Sequence, residues 1–248
     1  MTVELYQGDC LRVMDGIESG SIDLVLADPP YGTTACKWDS VIDLELMWLQ
    51  LKRIIKQNGA IVLFCGQPFT SVLINSNLKM FKYCWEWEKS RPAGHLNAKK
   101  MPLKNVEDIA VFYQKQCTYN PIFTTGKPNN LKDGSFRKSA AKNNCYGETK
   151  NYIQTKTDLK YPRQTLKFNS LDPRKMIHPT EKPVPMAEYL IKTYTNKNQT
   201  VLDFCIGSGA FGEGCINLTR NFIGIEKDPI YFKIAQRRIK SAEHQMSF

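Results

Sequence analysis

Among the eight cysteines, Cys10, Cys36, Cys65, Cys84, Cys117, Cys145, Cys205 and Cys215, no two form a C-x-x-C pair, and there are only three histidines, His95, His178 and His244. Neither residue type offers ligand spacing, so a zinc site is disfavoured. Several of the cysteines sit inside apolar runs, where a free thiol packs as a small hydrophobe. That usage fits a reducing cytosol and not a disulfide framework. No apolar run approaches the ~18 residues of a membrane span. The opening MTVELYQGD also lacks the basic and apolar regions of a secretory leader. A cytoplasmic protein with neither metal nor membrane association is expected. Internal repeats are absent. Acidic residues are in the minority, 24 against 34 Lys and Arg, which gives a formal charge of +10 and a pI near 9.1. This balance suggests an anionic partner, nucleic acid being the commonest, with a basic solvated surface as the bland alternative.

The 248 residues fit one large domain, or one domain carrying a substantial insertion. Short β-rich runs alternate with helical patterns through the first third, the signature of βαβ units and a mostly parallel sheet. VELYQGD and IDLVLAD read as strands. Leu44, Met47, Trp48, Leu51, Ile54 and Ile55 then recur at helical spacing within residues 40–56, Asn58-Gly59 supplies a stop, and AIVLFCG reads as a third strand. QPFTSVLINSNL fits a helix, and YCWEWEK and EDIAVFYQK fit strands.

Between residues 114 and 175 the pattern dissolves, and 13 Lys or Arg face four Asp or Glu, an excess of +9. A disordered basic linker is one reading. Interleaved aromatics, from Tyr119 and Phe123 to Tyr161 and Phe168, favour instead a small irregular insertion that contacts nucleic acid. The α/β pattern returns with a helix over 183–195, the buried strand TVLDFCIGSG, a helix over 212–218, the strand NFIGIEKD and a helix opened by Asp228-Pro229. The chain then stops one strand short of a doubly wound half-sheet. VELYQGD, at the other end of the chain, can fill that place and give a circularly rearranged strand order.

Two stretches carry chemistry. Gly207, Gly209 and Gly212 form G-x-G-x-x-G between a strand and a helix, which suggests a nucleotide-containing cofactor, with Glu226 at the end of the next strand facing ribose hydroxyls. A dinucleotide would set its pyrophosphate over this turn. Asp203, four residues earlier, disfavours that anion and favours a cofactor with an ammonium and a sulfonium. The second stretch is LVLADPPYG, residues 24–32. Its two prolines fix the backbone and free their carbonyls from competing N–H groups. An exocyclic amine on a planar base fits there, donating to the Asp28 carboxylate and the Pro29 carbonyl while its ring lies against Tyr31.

These motifs together resemble the S-adenosylmethionine-dependent DNA amino-methyltransferases, in the permuted β arrangement whose D-P-P-Y motif comes first and whose F-x-G-x-G motif comes last. ADPPYG (27–32), DFCIGSG (203–209), Glu226 in GIEKD, HPTEKP (178–183), GDC (8–10) and NGAIVLFCG carry the resemblance, which spans nearly the whole chain except residues 114–175. It implies a Rossmann-like doubly wound α/β sheet with rearranged strand order, residues 1–113 and 176–248 forming the catalytic domain, and 114–175 forming the target-recognition region. It implies catalytic roles for Asp28, Pro29, Pro30 and Tyr31. The cofactor residues it implies are Asp9, Cys10, Asp28, Thr180, Lys182, Asp203, Phe204, Gly207, Ser208, Gly209 and Glu226. The implied substrate is double-stranded DNA, methylated at N6 of a flipped-out adenine by an enzyme of the restriction-modification type. N4 of cytosine is the alternative, followed by an RNA or protein amide methyltransferase, a nicotinamide oxidoreductase and a catalytically idle DNA-binding module. Cys205-Ile206 departs from the proline-containing form of the cofactor loop. Trp38 is a candidate flank for the base, and 91–104, RPAGHLNAKKMPLK, resembles the stretch near the target base, where His95 reads as a DNA contact or surface residue. Whether the chain acts as a monomer or a homodimer is not legible.

Overall fold

Strand β2 (Ile22–Ala27) is buried at every position, and its side chains divide by parity between the two faces of a sheet. Leu24 and Leu26 pack on one face, Val25 and Ala27 on the other. β3 (Ile55–Cys65) repeats the division, with Ala60, Val62 and Phe64 against Ile61, Leu63 and Cys65. A strand with two buried faces needs a continuous apolar run, which is what LVLA and AIVLFC supply, while the buried Asp23 at the start of β2 is paired with Lys56 at 2.8 Å. The computed structural model describes residues 1–33, 39–130, 134–137, 152–153, 155–172, 174, 176–177 and 180–246.

The other elements of the first half are β1 (Val3–Gln7), α1 (Cys10–Asp15), α2 (Leu44–Ile54), α3 (Phe69–Ser76), β4 (Phe81–Ala93) and β5 (Lys104–Phe112). α2 starts later than its hydrophobic period suggests, because the Asp43 carboxylate caps it by accepting the Leu46 N–H at 3.0 Å. β6 (Thr124–Thr125), β7 (Phe136–Arg137), β8 (Tyr152–Ile153) and β9 (Leu159–Lys160) follow, then β10 (Thr165–Phe168), α4 (Val184–Tyr194), β11 (Thr200–Asp203), α5 (Ala210–Asn217), β12 (Asn221–Glu226) and α6 (Pro229–Met246).

Eight strands form one sheet in the order β1-β12-β11-β2-β3-β5-β4-β10. The strands from β1 to β3 run parallel, β5 is antiparallel to both of its neighbours, and β10 lies parallel to β4. The first strand of the chain thus pairs with β12, Val3 opposite Phe222 and Gln7 opposite Glu226, at the place the sequence left empty. β10 lies inside the stretch that reads as irregular. Four residues with alternating burial carry too little period to stand out, and Leu166 finds its core only once Trp87 of β4 lies beside it. One face of the sheet packs on α4, α5 and α6 and the other on α1, α2 and α3.

The chain divides into two compact units, residues 1–120 with 164–248, and residues 121–163. Within the smaller unit β6 pairs with β9 and β7 with β8, both antiparallel. There the Phe123 and Tyr161 rings meet at 4.8 Å between centroids. Among the described residues no helix is long and apolar enough to cross a membrane. No group of three or more His, Cys, Asp or Glu among them is placed to hold a metal ion.

Candidate active site

The order of the central strands puts a topological switch between β11 and β2, from which the chain proceeds outward in opposite directions. Open α/β sheets bind ligands in the crevice beyond the carboxyl ends of such strands. Asp28 follows β2 directly, and Pro29 and Pro30 end the strand by removing two N–H donors. The next turn is held by the buried Asp39, whose carboxylate accepts the N–H groups of Gly32 at 2.8 Å and Thr33 at 2.9 Å. Lys37 and Trp38 lie outside the described residues.

Asp28 has a partner on each oxygen. The Tyr31 hydroxyl donates to Oδ1 at 2.6 Å, and Lys182 Nζ donates to Oδ2 at 2.6 Å. Lys182, which reaches in from the turn before α4, also lies close to Glu107 Oε1 of β5, at 2.8 Å. The Tyr31 hydroxyl also stands 3.3 Å from that oxygen, and Lys89 of β4 pairs with Glu107 Oε2. Two carboxylates and two ammonium groups are thus interleaved where Lys182 and Glu107 are only 7% and 8% exposed. The Tyr31 ring stacks on Phe69 at 5.2 Å and 16°, which leaves a second ring only the opposite face.

Burial pushes the Asp28 carboxyl up, Lys182 opposes the shift, Glu107 adds to it, and the result lies above the ordinary aspartate value. Glu107 is also pushed up by burial, but Lys182 and Lys89 outweigh this and hold it below the usual range. For Lys182 burial acts downward and is overcome by the two carboxylates, which keep it ammonium.

Two further acids share the crevice. Leu202 lies opposite Val25 and Asp203 opposite Gly224, so Asp28, just past β2, and Glu226, the last residue of β12, flank Asp203 at the carboxyl ends of the neighbouring strands. Asp203 is buried, its Oδ1 accepts the Cys205 N–H at 3.0 Å, and burial raises its carboxyl well above normal, with added repulsion from Asp28 and Glu226. Glu226 accepts the N–H groups of Gly207 and Asp228, both at 2.9 Å. Gly209 adopts φ +82°, and a Cβ there would lie 3.0 Å from the Ala235 Cα of α6. Glycine is therefore required both by conformation and by the close approach of that helix.

The remaining residues singled out by the motifs are dispersed. Asp9 caps α1 through the Leu11 N–H at 3.1 Å and lies 3.5 Å from Lys227. The Cys10 and Cys205 thiols act on each other, lowering the pKa of the first and raising that of the second, as the start of α1 lies near the glycine loop. Phe204 is buried in the core, and Ser208 is buried with its hydroxyl 3.3 Å from Arg238 Nη1. Thr180 is exposed, and His178 and Pro179 lie outside the described residues. Glu107, Lys89 and Phe69 were not singled out by any motif. The one local signal was an acid at the head of the apolar strand EDIAVFYQK, which reads equally well as a solvated strand end.

A family model described as DNA methylase, of the N6/N4 methyltransferase type, matches residues 22–237. The type II methyltransferase M.HpaI of Haemophilus parainfluenzae is 25% identical over 256 residues, covering 97% of this chain and 75% of its own. The putative methylase YubD of Escherichia coli K12 is 25% identical over 248 residues, with 97% and 91% covered. The crystal structure of an M1.HpyAVI–SAM complex superposes with a TM-score of 0.64 at 25% identity over 96% of this chain and 99% of that one. The cytosine-N4-specific PvuII DNA methyltransferase shares the fold, with a TM-score of 0.65 at 15% identity over 99% and 93% of the two chains. With the family model spanning both the D-P-P-Y turn and the glycine loop, the chain belongs to the N6/N4 DNA methylase family.

Proposed function

We propose that the protein is a cytoplasmic, site-specific DNA methyltransferase that uses S-adenosyl-L-methionine to methylate N6 of an adenine flipped out of duplex DNA. Its motifs follow the permuted β order. The observation that carries this reading is the grouping of Asp28, Asp203 and Glu226 at the switch of strand order, where Asp28 and Glu226 both repel the buried Asp203 carboxylate. A ligand bearing an ammonium and a sulfonium relieves that repulsion, whereas a pyrophosphate would aggravate it. The donor set therefore fits the cofactor. Glu226 would accept from its ribose hydroxyls, Asp9 and Cys10 would flank its adenine, and Asp203, Thr180, Lys182 and the 207–209 turn would surround its methionine end.

When bound, the cofactor supplies an electrophilic methyl group. Asp28 and the Pro29 carbonyl accept the two N–H bonds of the target amine and hold its nitrogen in line for attack. Pro30 fixes the turn, and Tyr31 receives the base on the ring face opposite Phe69. The same acceptors stabilise the positive charge that develops on the nitrogen, whose proton is then lost to water. Extruding the base costs a few kcal/mol, drawn from contacts elsewhere on the duplex. Residues 114–175, including the unit 121–163, supply target-recognition contacts. The turn between β4 and β5, with exposed Lys99 and Lys100, and Lys104 at the head of β5 add phosphate contacts.

The adenine assignment rests on the aspartate that heads D-P-P-Y. Incubating the chain with unmethylated DNA and labelled cofactor, followed by nucleoside mass spectrometry, tests it. N6-methyladenine is the expected product. N4-methylcytosine alone would refute the base assignment, and no methylated nucleoside would refute the function.

A further inference from the structure

Both oxygens of Asp28 are engaged before any base arrives, one by a hydroxyl and one by an ammonium, each at 2.6 Å. A neutral exocyclic amine cannot by itself displace a buried ammonium, because charge-assisted bonds are roughly twice as strong as neutral ones. Nor can water take over the released ammonium, since Lys182 is only 7% exposed. The exchange needs a second acceptor already within reach of the same donors. Glu107 Oε1 meets that need, 2.8 Å from Lys182 Nζ and 3.3 Å from the Tyr31 hydroxyl, while Lys89 anchors its other oxygen. Glu107 thus duplicates both partners of Asp28 from a strand two places away in the sheet.

We infer that Glu107 is a positioning residue for methyl transfer, receiving Lys182 and the Tyr31 hydroxyl so that Asp28 is released to the target amine. This inference rests on the function proposed above. A purely structural role for the Glu107–Lys182 pair would affect stability but not the rate or pH profile of the folded enzyme.

The test is single-turnover methylation of unmethylated duplex DNA at saturating labelled S-adenosylmethionine, by the wild-type chain, Glu107→Gln and the double variant Glu107→Gln/Lys182→Met. Glu107→Gln keeps the shape but gives up the charge that competes for Lys182. Its rate is expected to fall about 10- to 100-fold, with cofactor and DNA affinities within about threefold. Its acid limb is expected to move to lower pH, because Asp28 is freed of a repelling carboxylate and keeps Lys182 to itself. The groups that act on Asp28 are Lys182, Glu107 and Tyr31, and Asp28 in turn repels the neighbouring Asp203.

The double variant removes one carboxylate and one ammonium, so the net charge of the cluster is unchanged while Asp28 and Lys89 remain. It is expected to transfer at least about tenfold faster than Glu107→Gln, with its acid limb moved above that of the wild type, since Asp28 then lacks the ammonium. A wild-type rate and pH profile in Glu107→Gln, or a double variant no faster than the single one, would overturn the role of Glu107 and leave the methyltransferase reading intact. A wild-type chain that methylates no DNA would refute both.

Discussion

Gly209→Ala tests the glycine loop quantitatively, because the structure separates two costs at this position. The first is conformational. At φ +82° an L-residue is held in the left-handed region, at about 1–2 kcal/mol. The second is steric, since the added methyl would lie 3.0 Å from Ala235 Cα, 3.2 Å from its Cβ and 3.3 Å from its carbonyl oxygen. These are mostly backbone atoms of α6, which cannot rotate away, so overpacking adds about 1–3 kcal/mol. Gly94→Ala is the matched control, with φ +90° and nothing within 4 Å of its Cβ. It carries the conformational cost alone. The expected losses are about 2–5 kcal/mol for Gly209→Ala and about 1–2 kcal/mol for Gly94→Ala, in a fold of about 5–15 kcal/mol total. Urea unfolding followed by far-UV circular dichroism and tryptophan fluorescence, without cofactor so that binding adds nothing, measures both. In a thermal scan each kcal/mol appears as about 2–4 °C. Equal losses in the two variants would refute the close approach of α6 to the loop.

Asp28→Ala is expected to abolish methyl transfer while changing cofactor affinity only a few-fold by calorimetry, whereas Glu226→Ala weakens cofactor binding itself. Near-normal turnover in Asp28→Ala would refute the acceptor role. Asp203→Asn is expected to lose cofactor affinity yet gain stability at neutral pH. Burial raises this carboxyl in the folded chain, so the fold binds its proton more tightly than the unfolded state does, and stability falls as pH rises from about 4 toward the raised value. Urea midpoints across pH 5 to 8 should therefore decline less in Asp203→Asn than in the wild type, and parallel profiles would count against the buried ionisable group. Replacing both Lys99 and Lys100 by Glu is expected to weaken DNA binding and reduce the slope of log K against log salt by about 0.9 for each phosphate no longer neutralised. An unchanged slope would remove this turn from the DNA surface.

Much of the fold was legible because its signals are local. LVLA and AIVLFC are continuous apolar runs, as strands buried on both faces must be. D-P-P ends β2 by removing N–H donors, and G-x-G-x-x-G follows a strand and precedes a helix. The place of β1 could be inferred from the strand that the far end of the chain lacked, and it pairs with β12 there. The arrangement around Asp28 was not legible in the same way. Lys182 lies 154 residues from Asp28, and Glu107 lies 76 residues from Tyr31, so no period or spacing connects them. Glu107 reaches the crevice because β5 inserts between β3 and β4, an order set by packing across the whole sheet. β10 escaped notice for the same reason, since its one buried leucine gains an apolar partner only beside Trp87. The sequence by itself determined the strongly apolar strands and the D-P-P and glycine turns at their ends, because backbone conformation and hydrophobic period act over neighbouring residues, whereas the helix stop expected at Asn58-Gly59 falls inside β3. Only the tertiary structure decided which charges are buried together, because burial and Coulomb interaction depend on distance in space and not along the chain.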